Sequence, residues 1–335
     1  MTASGPKARL QRLANAYQIS CAVQAAASIG LGALLNEGPV SGSELSARTG
    51  LQGEGLARLM LFLQTLGIVD FLSDGRFAAT ELSNCLDEID NIAEGPEALQ
   101  AWAKLPTVLK SGENAFSVAH GVPFYELAAA NEVKSKRWSA RNCQTAARWA
   151  KPTASAIELE GTERVIDLGA GNGELLAKIA EAYPLVRLAI WELPQAIESA
   201  KLSLTELGIL DRTELVAGNL TKDCPPAADV YIFCRVLLNM SDEDTLSALS
   251  LCSKRMAATS KLIIVEALMP EEPSPERLHH YAHNLHLMLV WGGKQRTQGE
   301  FSVLLESAGL QLESCKEIIS REGANWHILT ACLST

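Results

Sequence analysis

The second half of the chain alternates short apolar runs with longer amphipathic segments, and this alternation predicts its architecture. Each apolar run favours a buried strand, and each amphipathic segment favours a helix. Strands are predicted at 163–169, 187–192, 213–217, 229–234, 261–266, 310–320 and 326–333, with helices near 174–183, 194–207, 242–258 and 297–308. This order predicts an α/β fold with a doubly wound, Rossmann-like sheet, whose ligands bind at the carboxyl ends of its strands.

The first eighty residues carry a different pattern, which is mainly helical. Residues 7–35 predict one or two helices with so few polar positions that we expect contact with a second subunit. Ser41 or Ser43 then caps a short helix, and a longer helix follows at 54–67. Residues 68–80 predict a hairpin with an Asp-Gly turn. Helix, turn, helix and hairpin in this order are typical of a winged helix.

A winged helix raises the question of DNA binding. Its second helix has Arg58 as the only basic residue, and Arg76 of the hairpin has Asp70 and Asp74 as neighbours. Because phosphate contacts dominate affinity for DNA, these elements favour dimerisation instead. A Gly-Pro pair then marks the domain boundary. We therefore expect a winged-helix dimerisation domain at 1–95 and a catalytic domain at 96–335, in which the helices of 96–160 contribute to the substrate pocket.

Composition and charge narrow the class of protein. The 335 residues are 47% hydrophobic, with a net charge of −10 that disfavours nucleic acid and anionic membranes as partners. The N-terminus has no signal-peptide pattern, and no apolar run is long enough to span a membrane. The eight cysteines are dispersed without a C-x-x-C pair, which favours a reduced cytoplasmic protein.

The first predicted strand of the catalytic domain ends in a glycine loop, Asp167-Leu-Gly-Ala-Gly-Asn-Gly173. Strand, glycine loop and helix favour nucleotide binding, because bare backbone lets a ligand approach closely. A dinucleotide fingerprint would need glycine where Glu174 stands, and the Asp167 carboxylate would repel a pyrophosphate. Glu192 ends the next strand, where an acid can hold ribose hydroxyls. The pattern favours S-adenosylmethionine (SAM), although a glycine turn without a ligand remains the alternative.

Together these features resemble the SAM-dependent O-methyltransferases that carry an N-terminal winged-helix dimerisation domain and act on small molecules in secondary metabolism. The resemblance rests on DLGAGNG (167–173), WELPQAI (191–197), GNL (218–220), FCRVLLNMSDED (233–244) and GGKQRTQGEFSVLLESAGL (292–310). It implies a homodimer that uses SAM, releases S-adenosylhomocysteine and binds a small-molecule substrate.

The resemblance also implies site residues. At the cofactor, beside Asp167, it implies Gly169, Gly171, Gly173, Glu192, Leu193, Asn219, Leu220, Cys234 and Arg235. For the methyl acceptor, it implies Trp102, Phe116, His120, Phe124, Trp138, Asn142, Leu238, Asn239, Tyr281, Asn284, Leu287, Met288 and Trp291. The aromatic members of the acceptor set have core packing as an equal alternative.

The chain departs from the family at the catalytic base. Many members have a His-Asp pair, and that histidine deprotonates the acceptor, but here the pair is Leu238-Asn239. The acid that orients such a histidine matches Asn284. Leucine cannot accept a proton, so Asn239 and Asn284 are only weak catalytic candidates. A relocated base could be His120, His280, His283 or His286. His279, His283 and His286 could alternatively share a helix face that binds metal, although the resemblance implies no metal.

These observations predict a SAM-dependent methyltransferase for a small, aromatic or polycyclic metabolite. Without a histidine base, the reaction would rely on proximity and desolvation and would methylate carbon, nitrogen or an activated oxygen. Two alternatives stay open. One is a SAM-binding family member that catalyses a non-methylating rearrangement, cyclisation or oxidation, and the other is a non-catalytic winged-helix regulator.

Overall fold

A computed structural model describes residues 5–86, 95–130, 146, 149–321 and 324–334 of the protein. The chain divides after Gly95 into two compact units, Met1–Gly95 and Pro96–Thr335. None of the described helices is long and apolar enough to cross a membrane.

The N-terminal unit is mainly helical, with a small three-stranded sheet. Its helices are Pro6–Ala14, Tyr17–Ser28, Leu31–Asn36, Gly42–Thr49, Gly53–Thr65 and Glu81–Asn84. Its strands are β1 (Val40–Ser41), β2 (Val69–Phe71) and β3 (Arg76–Ala79), in the antiparallel order β1-β3-β2. Ser41 caps the fourth helix through a capping box with Glu44, which confirms one of the two predicted caps. The apolar stretch of residues 7–35 forms three helices instead of one or two, and Gly30, with a left-handed φ of +67°, separates the second helix from the third.

The second unit contains the predicted doubly wound sheet. Its strands are β4 (Arg164–Leu168), β5 (Arg187–Glu192), β6 (Thr213–Ala217), β7 (Val230–Cys234), β8 (Lys261–Ala267), β9 (Leu310–Arg321) and β10 (Ala324–Leu333). They lie in the order β6-β5-β4-β7-β8-β10-β9. Strands β4 to β8 pair in parallel, whereas β9 and β10 pair antiparallel. The strand order reverses between β4 and β7, and this switch point is where such sheets bind ligands.

Helices cover both faces of the sheet, and a further helical layer precedes it in the chain. The helices near the sheet are Glu174–Ala182, Ile197–Glu206, Asp242–Ser253, Leu278–Val290 and Gln298–Ser307. The preceding layer contains Gly95–Trp102, Leu105–Ser111, Ala115–His120 and Phe124–Ala129. The parallel strands are buried on both faces by two separate apolar clusters, which explains why they are nearly continuous apolar runs in the sequence.

A third apolar cluster joins the preceding helical layer to the helix Leu278–Val290. Phe116, Phe124, Leu289 and Val290 are buried within it, and Trp291 packs at its edge. This cluster therefore fixes one wall of the site described below. The predicted acceptor residues Trp138 and Asn142 lie outside the described residues.

Candidate active site

The glycine loop follows β4 at the switch point of the sheet. Gly169 has a φ of +82°, and a Cβ atom there would come within 2.8 Å of a Val236 methyl group, so glycine is required for both conformation and space. The Gly171 N–H group donates a hydrogen bond of 2.7 Å to Glu192 Oε1 at the end of β5. The loop is thus tied to the neighbouring strand and presents bare backbone at the carboxyl edge of the sheet.

Two acidic side chains lie at this edge. The Glu192 carboxylate also accepts a 3.2 Å hydrogen bond from the Leu193 N–H group, and burial raises its pKa while the two backbone bonds lower it. Asp167, at the end of β4, is only 2% exposed, and its Oδ1 atom has no hydrogen-bond partner. Burial and the nearby Glu192 charge raise the pKa of Asp167 to about 8. Both carboxyl groups would be stabilised in their charged form by a cationic ligand.

The opposite side of the loop is formed by β6, β7 and the residues that follow them. A Leu220 methyl group lies 3.6 Å from the Cβ position of Gly169, so Leu220 flanks the loop. Cys234 is buried at the end of β7, and its neighbour Arg235 places its guanidinium carbon 5.0 Å from the Trp326 ring centroid. Asn219 instead turns its Oδ1 atom to the Thr221 N–H and hydroxyl groups, each at 2.9 Å.

These residues fit SAM. The bare glycine backbone admits a nucleoside, the Glu192 carboxylate has further acceptor positions for ribose hydroxyls, and Leu220 offers an apolar surface for a base. The Asp167 carboxyl group lacks a partner at Oδ1 and lies where a positive charge would be favourable. A pyrophosphate, by contrast, would add negative charge beside two carboxyl groups.

A short 3₁₀ turn, Leu237–Asn239, follows β7 and contains Leu238, the residue that the sequence resemblance matches to the family base. The Leu238 N–H group donates to Glu266 Oε1 at 3.1 Å, and the Leu238 carbonyl accepts from the Lys294 N–H group at 2.9 Å. The fully buried Arg296 donates to the Leu237 and Met240 carbonyls, each at 2.9 Å. This turn is therefore held from both sides, and it presents leucine and asparagine side chains at positions 238 and 239.

The carboxyl group that contacts the Leu238 backbone is that of Glu266. The sequence resemblance matches the family's acid to Asn284, which is a different residue. Asn284 accepts a 2.8 Å hydrogen bond from the Gln295 N–H group, so its amide braces the 292–297 loop. Glu266 is 2% exposed, its Oε2 atom has no partner, and burial raises its pKa to about 8. The position that matches the family's orienting acid is thus a neutral asparagine, and Glu266 is a separate buried carboxyl group that sequence reasoning did not select. An acid inside the apolar run of β8 is the sequence signal that marks Glu266, since buried charges are rare.

An aromatic wall faces this edge of the unit. The Trp291 ring packs against Phe124 and Tyr125, with centroid distances of 4.2 and 5.1 Å. Sequence reasoning selected Phe124 but not Tyr125, although the two are adjacent. Tyr125 is 49% exposed, and burial and the negative charge of Glu192 raise its pKa, so its hydroxyl group lies on the same side of the unit as Glu192.

Other predicted acceptor residues occupy supporting positions. Phe116 is fully buried behind the wall, where it contacts the His120 and Phe124 rings, and Leu287 is also buried. The Tyr281 hydroxyl donates to the Pro270 carbonyl at 3.2 Å. Met288 is 39% exposed. We therefore assign Phe116 and Leu287 to the core that supports the wall, which is the packing alternative stated for the aromatic residues.

The candidate histidines differ in which ring nitrogen can accept a proton. His286 Nδ1 accepts from the Trp102 indole N–H at 3.0 Å, so the neutral ring carries its proton on Nε2. His280 is buried with a lowered pKa, and the Gln295 amide nitrogen lies 3.4 Å from its Nδ1 atom. His120 donates from Nε2 to the Glu97 carbonyl at 3.1 Å, which leaves its Nδ1 lone pair. His283 is exposed.

Within the described part of the chain, no three His, Cys, Asp or Glu side chains could hold a metal ion.

The fold and the site define an α/β enzyme that binds an adenosyl cofactor at the carboxyl edge of a doubly wound sheet. The family model for the O-methyltransferase domain matches residues 102–311, and the model for the O-methyltransferase dimerisation domain matches residues 11–88. The chain therefore belongs to the O-methyltransferase family, and it is a SAM-dependent methyltransferase.

Similar proteins act in natural-product biosynthesis, according to their names. The mitomycin biosynthesis 6-O-methyltransferase of Streptomyces lavendulae is 31% identical over 301 residues, which are 87% of this chain and 85% of that protein. The solved structure of the mitomycin 7-O-methyltransferase MmcR has a TM-score of 0.88 at 27% identity and covers 98% of this chain and 99% of its own. Aclacinomycin 10-hydroxylase RdmB of Streptomyces purpurascens is 28% identical over 291 residues, or 81% of this chain and 75% of that protein.

Proposed function

We propose that the protein methylates a small aromatic or polycyclic metabolite without a histidine general base. The observation that carries this proposal is Leu238, which is fixed by backbone hydrogen bonds in the turn where the family places its base. The aromatic wall of Phe124, Tyr125 and Trp291 supports a planar acceptor, because flat rings pack well against aromatic side chains.

The chain's own residues would act mainly by positioning. SAM bound at the glycine loop supplies an electrophilic methyl group. Glu192 and the loop would fix the cofactor, while the aromatic wall and the Leu237–Asn239 turn would orient the acceptor and exclude water. Positioning of this kind supplies about 7–11 kcal/mol in favourable intramolecular reactions, so an in-line displacement can proceed without a side-chain base.

The acceptor must then already be nucleophilic. A phenol with a pKa near 10 is mostly protonated at neutral pH and normally needs a base. An acidified phenol, a carboxylate, an amine or an electron-rich carbon does not. His280 and His286 accept at Nδ1 from a neighbouring donor, which makes them poor bases, whereas His120 keeps a lone pair and is the candidate to test.

We also infer a homodimer in which a winged-helix N-terminal unit forms the interface. Leu10, Leu13 and Tyr17 are 68%, 65% and 59% exposed, and an exposed apolar surface of this kind favours a partner of the same chain. The described basic residues of the proposed second helix and hairpin, Arg58 and Arg76, form ion pairs with Glu54 and Asp74. This pairing supports dimerisation over nucleic-acid binding, and a cytoplasmic location remains a prediction.

The test is a search for transferred methyl groups. Purified protein is incubated with SAM that carries a trideuterated methyl group and with small-molecule extracts of the producing cells, and new products are sought by mass spectrometry. We expect a product in which one hydrogen atom of the precursor is replaced by a trideuterated methyl group, and whose mass is higher by that difference. Glu192→Ala should weaken SAM binding by about 1.5–3 kcal/mol and reduce product formation accordingly.

Two results would contradict the proposal in different ways. Consumption of a metabolite while the label stays on the cofactor would favour a non-methylating reaction, a possibility raised by the relative that is named as a hydroxylase. Binding of SAM with no change in any metabolite, together with tight duplex-DNA binding at physiological salt, would favour a regulator.

A further inference from the structure

Arg296 is a buried arginine that is not among the site residues expected from the sequence. Its side chain is fully buried, and its Nε atom donates a hydrogen bond to Asp242 Oδ1 at 2.8 Å. Nη1 donates to the Leu237 and Lys294 carbonyls at 2.9 and 3.2 Å, and Nη2 donates to the Met240 carbonyl at 2.9 Å. A guanidinium has five N–H donors, so these bonds satisfy most of its capacity, as a charge in the protein interior requires.

Three of these four acceptors belong to the short connection between β7 and the helix that follows it. The Leu237 carbonyl lies at the start of the 3₁₀ turn, the Met240 carbonyl lies directly after the turn, and Asp242 is the first residue of the helix. Partial burial raises the pKa of Asp242, but hydrogen bonds from Arg296 and Lys294 lower it overall. Asp242 is therefore a carboxylate at neutral pH, and its charge-assisted bond orients the guanidinium toward the two carbonyls.

The turn has little internal support of its own. It contains two backbone hydrogen bonds, from the Asn239 N–H group to the Val236 carbonyl at 3.0 Å and from the Met240 N–H group to the Leu237 carbonyl at 3.1 Å. Hydrogen-bond geometry in a short 3₁₀ turn is poor, so the shape of the turn depends on the bonds that it makes to its surroundings. Leu237 is buried, whereas the Leu238 and Asn239 side chains are half-buried. A residue that fixes the turn therefore also fixes where these two side chains lie at the carboxyl edge of the sheet.

The turn adjoins the glycine loop through Val236, since a Val236 methyl group would lie 2.8 Å from a Cβ atom on Gly169. We propose that Arg296 is a positioning residue for methyl transfer: its guanidinium, oriented by Asp242, holds the Leu237–Asn239 turn in a fixed place beside this loop. The effect on the reaction rests on the function proposed above, in which placement of the acceptor makes a side-chain base unnecessary. Because a misplacement of about 1 Å can lower a rate about a hundredfold, movement of the turn should slow the transfer step.

Two variants alter the guanidinium and the carboxylate that orients it. Arg296→Lys keeps a positive charge near Asp242 but lacks the planar group that reaches both turn carbonyls. Asp242→Asn keeps an oxygen that can accept from Nε but removes the charge, so its effect should have the same direction and a smaller size. The matched control is Arg164→Lys. Arg164 also donates to a carboxylate and to a backbone carbonyl, those of Glu214 and Ala227, but it lies at the amino end of β4, at the opposite edge of the sheet from the glycine loop.

The experiment combines hydrogen-exchange mass spectrometry, calorimetry and single-turnover kinetics on the full-length protein. For Arg296→Lys we expect the amides of residues 236–241 to exchange about tenfold faster than in wild type or more, with little change in β4 to β8. The SAM Kd should stay within about threefold of wild type, whereas transfer to the acceptor found by the labelled-methyl search should slow about tenfold or more. Arg164→Lys should leave both the exchange of residues 236–241 and the transfer rate close to those of wild type.

Several results would overturn the proposal. Unchanged exchange at 236–241 in Arg296→Lys, or exchange that rises equally throughout the sheet, would show that Arg296 only stabilises the fold. A wild-type transfer rate in a variant with faster local exchange would show that the turn does not position the reaction. If Arg296→Lys fails to fold, Asp242→Asn decides by the same measurements. Absence of any methyl transfer by the wild-type protein would instead contradict the proposed function, and the exchange measurement would still show whether Arg296 holds the turn.

Discussion

Burial sets the protonation state of the Glu266 carboxyl group, which accepts the Leu238 N–H at the end of β8. The pKa of Glu266 is raised to about 8 in the folded protein, and in the unfolded chain it returns to the ordinary value near 4.5. Between these two values the folded state holds a proton that the unfolded state has lost. Its contribution to stability is therefore fully present below about pH 4.5 and is lost as the pH rises toward 8.

A conservative variant of Glu266 tests this effect. Glu266→Gln keeps an oxygen to accept the Leu238 N–H group but cannot ionise. We predict that the free energy of unfolding of the variant declines less between pH 5.5 and 8.5 than that of wild type. Asp167 and Glu192, whose pKa values are also raised by burial, contribute to the remaining decline. Chemical denaturation at several pH values between 5.5 and 8.5 measures the free energy of unfolding. The control is Glu271→Gln, which removes a carboxylate at an exposed position. Identical slopes for Glu266→Gln and wild type would contradict the assignment.

At the scale of elements, the acceptor side of the site depends on how closely two loops approach. A Cβ atom on Gly293 would lie 2.1 Å from the Leu238 carbonyl oxygen and 2.7 Å from Asn239 backbone atoms. These are backbone atoms that cannot rotate away. We predict that Gly293→Ala separates the 292–297 loop from the Leu237–Asn239 turn, destabilises the protein by about 2–4 kcal/mol and raises the acceptor KM more than the SAM Kd.

The control for this prediction is a glycine in the adjoining helix. A Cβ atom on Gly299 would meet only the Thr297 hydroxyl at 3.9 Å, so Gly299→Ala should change neither stability nor acceptor binding appreciably. Thermal unfolding and steady-state kinetics measure both variants. If Gly293→Ala is as stable as wild type with an unchanged acceptor KM, the close approach does not position the acceptor wall.

Elements were easier to predict from the sequence than contacts between them. The five parallel strands and the last two strands lie within a few residues of the predicted ranges, because their apolar runs report burial directly. The bond from Leu238 to Glu266 joins residues 28 positions apart, and no local pattern encodes it. Tyr125 was likewise missed, since a ring beside a pocket and a ring in a core look the same in a sequence.

For the whole molecule, the testable feature is assembly. Leu10 and Leu13 lie three positions apart on the helix Pro6–Ala14, which has no buried residue in the single chain. We predict a dimer that persists at micromolar concentration, and we expect the double variant Leu10→Glu/Leu13→Glu to shift it toward monomer because charges would be buried at the interface. Light scattering during size-exclusion chromatography measures the mass.

A matched control is available in the catalytic unit. Leu202 is 69% exposed, comparable to Leu10 and Leu13, but lies on the helix Ile197–Glu206, so Leu202→Glu should leave the dimer intact. A well-folded wild-type monomer at micromolar concentration would refute the dimer. Dissociation by Leu202→Glu as well would show that the N-terminal unit is not the specific interface.

Transfer of a methyl group without a side-chain base is the central claim, and the single-turnover rate of the histidine variants tests it most directly. With the acceptor found by the labelled-methyl search, the rate is measured for wild type and for single alanine replacements of His120, His280, His283 and His286. Because no histidine is expected to take the proton, we predict rates within about tenfold of wild type and unchanged SAM binding. A loss of about a hundredfold or more in any one variant, with fold and SAM affinity intact, would identify a relocated base and contradict the claim.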